Sequence, residues 1–224
     1  MPAESPVLDD LRADIGRIPT GPPPEVGGGD DRPPQPEPER KPVIENAKLG
    51  MLMFLGAETM FFGGLIAAFL VMRLGAPAWP PPAQPRLPVA VTGLNTLVLL
   101  ASSFTLARAL RAIRRGDQAG LCRGLAWTAA LGAIFLGVQG YEWGRLVTFG
   151  LTLSSGLYGA TFYTLIGTHG FHVLAALVTL SVVWLLAKRG QFTARNYLGA
   201  SVSGMFWHYV VALWPILYTL VYLA

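Results

Sequence analysis

The sequence predicts an all-α, polytopic integral membrane protein: a bundle of five transmembrane helices with the N-terminus inside and the C-terminus outside. Three observations carry this expectation. From Lys48 onward the chain holds five apolar segments, each at or above the ~20 residues that a helix needs to cross a hydrocarbon core. Only 13% of its 224 residues are charged and 52% are hydrophobic, whereas soluble domains carry about 25% charged residues. The Lys and Arg residues, finally, alternate between segment ends in register with the crossings.

The segments are expected at 48–73, 88–112, 122–146, 158–187 and 198–222. Short links join them: "GAPAWPPPAQPRLP", "RRGDQAGLCR", "TFGLTLSSGLYG" and "KRGQFTARN". Residues 1–45 are a different material. Eleven of the 18 prolines fall there, around "TGPPPEVGGGDDRPPQPEPERKP", and such a stretch has too few large apolar groups to build a core. It is expected to be a disordered cytoplasmic tail preceding a membrane domain at 46–224. A secretory leader would need a basic start followed by an apolar run. Met1 to Asp31 offers neither, so the tail is expected to stay on the mature chain.

Orientation follows from the retention of positive residues on the cytoplasmic side. The N-terminal arm through Lys48 carries six, the second link and its flanks five (Arg108, Arg111, Arg114, Arg115, Arg123), and the fourth link three (Lys188, Arg189, Arg195). The opposite side carries Arg73, Arg86 and Arg145 alone. Trp79, Trp143 and Trp214 fall near the expected outer boundary, where an aromatic belt belongs. The net charge of +4 is therefore mostly topology, and nucleic acid is excluded as the expected partner. The single cysteine, Cys122, excludes an internal disulfide and any CxxC site.

Few polar residues interrupt the helices, and each needs a reason. Glu58 sits near the middle of the first segment, where a carboxylate costs on the order of 2.5–3.5 kcal/mol on insertion scales. No Lys or Arg lies at comparable depth. Burial disfavours the charged form, so a protonated carboxyl is the default, serving either a proton route or a hydrogen bond that ties helices together. His169 and His172 in "GTHGFHVLAAL" lie three apart and share one face of the fourth helix, while His208 in "GMFWHYVVALW" lies on the fifth. Three histidines would allow a single bis-histidine haem but not a haem–copper centre with a further haem. Hydrogen-bonded residues at a helix interface are the plainer expectation, with Gly170 letting another helix approach closely. Gln139 and Glu142 in "LGVQGYEWG" lie toward the outer end of the third helix, beside the Gly140/Gly144 pair. Asn95, Thr96, Ser102 and Ser103 on the second helix, and the Gly63, Gly64, Ala67, Ala68 strip on the first, are expected to serve helix packing. No phosphate-binding loop, GxSxG or HExxH is present. No catalytic or metal-binding residue is expected in the chain.

Taken in order, "GAETMFFGGLIAAFL", "LNTLVLLASSFT", "LGAIFLGVQGYEW", "FYTLIGTHGFHV" and "FWHYVVALWPILYTLVYL" resemble the successive signatures of subunit III of haem–copper terminal oxidases, the cytochrome c oxidase family. The resemblance spans residues 45–224. It implies a subunit without a redox centre that packs on subunit I, binds phospholipid, and supports proton uptake and durability of a proton-pumping complex that oxidises cytochrome c and reduces oxygen to water. Haem and copper would then lie in partner subunits I and II. Glu58 matches the carboxylate of the family's E-x-M-F-F motif, associated with proton handling or the lipid cleft; His169, His172, Glu142 and His208 match its HGxHV, QxxEY and WHF positions. The arrangement is similar to the shorter bacterial type, which lacks two leading helices of the seven-helix members and sits in the bacterial inner membrane. Val211 and Ser201 stand where family members commonly carry Asp and Glu. An accessory subunit of a quinol oxidase or nitric oxide reductase would share these motifs. A small transporter or a one-haem cytochrome using Glu58, His172 and His208 is the alternative from another class.

Overall fold

The computed structural model describes residues 21, 45–81 and 87–223. The chain divides into two units, residues 1–41 and 42–224. Apart from residues 21 and 45, the expected tail lies outside the described residues, as does Arg86, and the account below concerns the second unit.

Its elements are five long helices: α1 (Asn46–Leu74), α2 (Val89–Arg114), α3 (Gln118–Thr148), α4 (Leu157–Lys188) and α5 (Leu198–Tyr218), the last running into a π-helical turn, Thr219–Leu223. The described residues contain no strand. All five spans are long and apolar enough to cross a membrane. The first four have 26 to 32 residues, about 39–48 Å of helix at 1.5 Å per residue, so their ends pass the ~30 Å hydrocarbon core into the headgroup regions. This length explains why the helices overrun the apolar segments. A hydropathy boundary stops where side chains turn polar, whereas the helix stops where its backbone is capped.

The second link shows the capping most clearly. Gly116 adopts φ +82°, a conformation open to glycine at little cost. Its N–H donates to Ile113 O (2.9 Å) and that of Asp117 to Ala112 O (3.0 Å), the paired bonds of a Schellman end. Asp117 then caps α3 by accepting from Gly120 N at 2.7 Å. A turn this short makes α2 and α3 an antiparallel hairpin. Contacts at both ends fix the same up-and-down alternation elsewhere. Gln118 Nε2 donates to Ala187 O at 2.8 Å, joining the start of α3 to the end of α4. At the opposite end Tyr218 Oη donates to Val89 O at 3.0 Å, and Arg73 Nη1 to Leu220 O at 2.7 Å.

Helix α5 is the centre of the bundle, with 44% of its apolar window buried, while α1 is peripheral at 11%. The centre is built by two tryptophans whose polar edges are satisfied by hydroxyls on α2, as buried indoles require. Trp207 Nε1 donates to Ser102 Oγ at 3.1 Å, and Trp214 Nε1 to Thr96 Oγ1 at 2.8 Å. These small hydroxyls therefore do serve packing. Trp214, however, does not face out of the bundle: it is 1% exposed and packs inside it, rather than presenting its indole to the surroundings as a belt residue does. Pro215 does not end α5, which continues to Tyr218. The backbone instead widens into the π-helical turn, where the Arg73 guanidinium takes up the Leu220 carbonyl.

The glycines expected to aid packing divide sharply. Nothing stands within 4 Å of a Cβ built at Gly63, Gly64, Gly140 or Gly144, so these strips face out of the chain rather than a neighbouring helix of it. Gly170, by contrast, is close-packed, as is Gly132, a position that carried no expectation from the sequence. A Cβ at Gly132 would run into the six-membered ring of Trp207, and one at Gly170 would lie 2.7 Å from Trp143 Cη2. Gly132→Ala should accordingly lower the thermal unfolding midpoint by the equivalent of about 1–3 kcal/mol of overpacking, more than the ~1 kcal/mol gained in helix propensity. Gly137→Ala, which meets nothing within 4 Å, should be neutral or stabilising in the same measurement.

Candidate functional site

Glu58 leaves α1 toward α4, where His172 waits. His172 Nε2 and Glu58 Oε2 are 3.0 Å apart, with the two side chains only 15% and 16% exposed. The other ring nitrogen decides the chemistry. His172 Nδ1 lies 2.8 Å from Thr168 O, and a carbonyl only accepts, so Nδ1 carries a proton. In a neutral imidazole Nε2 is then an acceptor, facing a carboxyl oxygen that is also an acceptor when ionised. Two bare lone pairs do not sit 3.0 Å apart. The contact is relieved when one proton stands between them, on the Glu58 carboxyl or on His172 Nε2. Glu58 Oε2 is nevertheless buried without a hydrogen-bond partner, so the contact is one of ion-pair distance rather than a hydrogen bond.

Aromatic rings flank the pair. Phe62, one helical turn past Glu58 and 1% exposed, meets the His172 ring edge-on at 5.1 Å and the His169 ring at 6.2 Å. Phe61 and Phe171 lie at 6.3 and 6.0 Å from His172. The low dielectric that these rings create strengthens electrostatics within the pair and raises the penalty for separating it.

His169 is adjacent but different. It is fully buried, and neither ring nitrogen has a hydrogen-bond partner among the described residues. Its plane stacks on Trp214 at 5.2 Å and 23°, so it packs as an aromatic plate rather than as the hydrogen-bonded residue expected from its sequence. Phe62 and Trp214 occupy the space where polar partners would stand.

The remaining two candidates lie elsewhere. His208 Nδ1 meets Ser103 Oγ of α2 at 2.5 Å, apart from the Glu58 contact. Glu142, 6% exposed, is joined by Arg145 of its own helix at 3.4 Å. The structure thus brings Glu58, His172 and His169 into one cluster around Phe62. Both ring nitrogens of His172 are engaged, and no group of three His, Cys, Asp or Glu able to hold a metal ion occurs among the described residues. The donors do not fit a metal or haem shared by His172 and His208.

One polar cluster was not anticipated. Tyr222 Oη accepts from Gln139 Nε2 at 3.0 Å, and the Trp143 and Thr92 side chains face the same hydroxyl. A tyrosine in "LVYL" at the end of an apolar helix was the available signal, but Gln139 lies 83 residues back and nothing local points to it.

With this geometry in place, comparison with known proteins is informative. The family of cytochrome c oxidase subunit III matches residues 38–224. The chain belongs to that family. It is 40% identical over 175 residues to cytochrome c oxidase subunit 3 of Synechocystis sp., covering 78% of this chain and 74% of that one. It is 38% identical over 176 residues to the subunit 3 of Thermostichus vulcanus, with 78% and 86% covered. Against that of Bacillus subtilis it is 36% identical over 183 residues, with 80% and 86% covered. This subunit III chain thus carries the Glu58–His172 contact within the region that the family shares.

Removing one partner of a buried polar pair strands the other, at about 1–3 kcal/mol. His172→Phe should therefore lower the chain's thermal unfolding midpoint by that equivalent. Glu58→Gln should stay near wild type, because its amide can donate to His172 Nε2.

Proposed function

We propose that this chain acts as the non-catalytic subunit III of a proton-pumping haem–copper oxidase in a bacterial inner membrane, within a complex that oxidises cytochrome c and reduces oxygen to water. Its direct partner in this reading is subunit I; haem and copper reside in subunits I and II. The observation that carries the reading is family membership over residues 38–224, joined to a donor inventory in which His172, His169 and His208 are committed to Glu58, Trp214 and Ser103.

The chain's task is to stabilise subunit I and to shape the lipid and proton environment at its flank. Helix α1 supports this. Met53, Met60 and Val71 are 70%, 80% and 72% exposed, and the open Gly63–Gly64 strip lies between them. A face of this kind suits close contact with another helix or with lipid. Glu58 and His172 stand where α1 meets α4, and they supply a protonatable pair at membrane depth. Intramembrane ionisable groups of this kind mark proton routes by default. The basic end, which includes Lys48, Arg111 and Lys188, faces the cytoplasm in this arrangement, with residues 1–45 as a cytoplasmic tail and the C-terminus outside.

Depleting the purified complex of this chain should shorten its catalytic lifetime and weaken proton uptake. Unchanged initial rate, pumping and lifetime would refute the role. Within the intact complex, Glu58→Gln should assemble normally and still reduce proton uptake or the number of turnovers before inactivation. A variant indistinguishable from wild type at every pH would reduce Glu58 to a packing residue.

A further inference from the structure

His208 engages the bundle with one ring nitrogen and leaves the other open. Its Nδ1 meets Ser103 Oγ at 2.5 Å, whereas its Nε2 has no hydrogen-bond partner among the described residues. Unlike the two nitrogens of His169, Nε2 is not sealed inside the bundle. His208 lines a cleft of about 290 Å³ between α2 and α5, together with Arg111, Arg114, Ser201 and Met205. The two helices close the floor of this cleft, since a Cβ on Gly204 would lie 2.9 Å from Leu110 Cδ1. Its open side therefore faces out of the bundle.

Depth gives the open nitrogen its meaning. From Leu198, where α5 begins, to His208 is about 15 Å of helix at 1.5 Å per residue. Ser103 lies about as far from Arg114, where α2 ends. Both residues thus fall well inside a hydrocarbon core of ~30 Å. Neither water nor an acyl chain offers a hydrogen bond there, and an unmet polar group is costly. Hydroxyls on α4 avoid that cost by turning to their own backbone: Thr179 Oγ1 donates to Ala175 O and Ser181 Oγ to Leu177 O, each at 2.8 Å. An imidazole held at Nδ1 has no such recourse for Nε2, because the two nitrogens point away from one another.

We infer that the α2–α5 face docks a transmembrane helix of a neighbouring oxidase subunit, and that an Asp or Glu carboxyl on that helix meets His208 Nε2. A carboxyl fits either tautomer of the ring. Ionised, it accepts from an Nε2–H; protonated, it donates to a bare Nε2. The guanidiniums of Arg111 and Arg114, at the basic end of the cleft, favour an acidic group there over a basic one. A second copy of this chain would not supply it, because its intramembrane carboxyls, Glu58 and Glu142, are turned to His172 and Arg145. This contact rests on the accessory-subunit reading, and adds to it a face other than that of α1 and the chemistry that holds it.

The test is site-specific photocrosslinking in the purified complex that contains the full chain. With Met205 replaced by p-benzoylphenylalanine, the chain should crosslink to one haem–copper oxidase subunit, in a transmembrane segment that mass spectrometry shows to carry Asp or Glu. The same group in place of Val182, exposed on α4, should not yield that product. His208→Leu should raise the fraction of this chain lost on detergent dilution about three- to tenfold, the size of one interhelical hydrogen bond in a membrane. Ser103→Ala, which removes the contact within the chain and leaves Nε2 in place, should behave as wild type. Changing the crosslinked Asp or Glu to Leu should add nothing to the loss already caused by His208→Leu, as for two partners of one bond. Should His208→Leu fail to accumulate, the Met205 crosslink still decides. Crosslinks only to lipid, to a second copy of this chain or to a segment without Asp or Glu would overturn the assignment. So would unchanged retention of His208→Leu, or an equal loss in Ser103→Ala. A complex that lacks haem–copper subunits altogether would overturn the accessory-subunit reading as well.

Discussion

Four of the five helices meet on one indole. Trp214 of α5 donates to Thr96 of α2 at 2.8 Å, presents its ring to Phe135 of α3 at 5.1 Å, and stacks on His169 of α4 at 5.2 Å. In a bilayer no hydrophobic gain separates helix contact from lipid contact, so association depends on dense packing and on satisfied polar groups. Trp214 supplies both, with a large flat surface and one hydrogen bond directed at a hydroxyl. Its position explains why His169 packs as an aromatic plate: the stacked indole takes the place of polar partners. The stacking also fixes the rotation of α4. Since His172 follows His169 by three residues, that rotation aims His172 at α1.

The site is thus a consequence of the core rather than an addition to it. Helix α1, the least buried of the five, is attached to α4 through Phe62 packed against His169 and His172 and the Glu58–His172 contact, and to α5 through the Phe54–Phe206 rings at 5.7 Å, the Arg73–Leu220 hydrogen bond and a long Thr59–Tyr209 hydroxyl contact at 3.4 Å. A helix held on one side, with an ionisable contact in its seam, is the most lightly buried element of this bundle. The remaining outward face of α1 is free to meet a partner subunit or lipid. Structure and proposed role therefore converge on the seam between α1 and α4.

Much of this was legible in the sequence, and the exceptions have physical causes. Hydropathy finds the five spans because the bilayer imposes a minimum apolar length, but it misses several helix ends, because Asp117 and Gly116 cap the backbone irrespective of hydropathy. The sequence marks Glu58 as costly, yet no local feature indicates His172 as its partner, 114 residues away. Nor does spacing reveal that His172 uses its other nitrogen on Thr168, although a backbone carbonyl four residues back is a standing opportunity on a helix. His208 looks equivalent to His172 as a polar residue in an apolar helix, yet it meets Ser103 of α2 instead of the cluster. The resemblance to subunit III named the family from ordered motifs, whereas the identity of the pair that shares a proton required three-dimensional contact.

The shared proton is the central claim, and it depends on the protonation of one nitrogen. Nitrogen-15 NMR of the histidine-labelled chain in lipid, with His172 assigned by loss of its signal in a His172 variant, addresses it directly. The Thr168 contact requires Nδ1 of His172 to bear a proton, with Nε2 facing the Glu58 carboxyl at 3.0 Å. A bare Nδ1, with the imidazole proton on Nε2 alone, would contradict the account, because Glu58 would then be a plain carboxylate accepting from a neutral histidine and no further proton would be held between them.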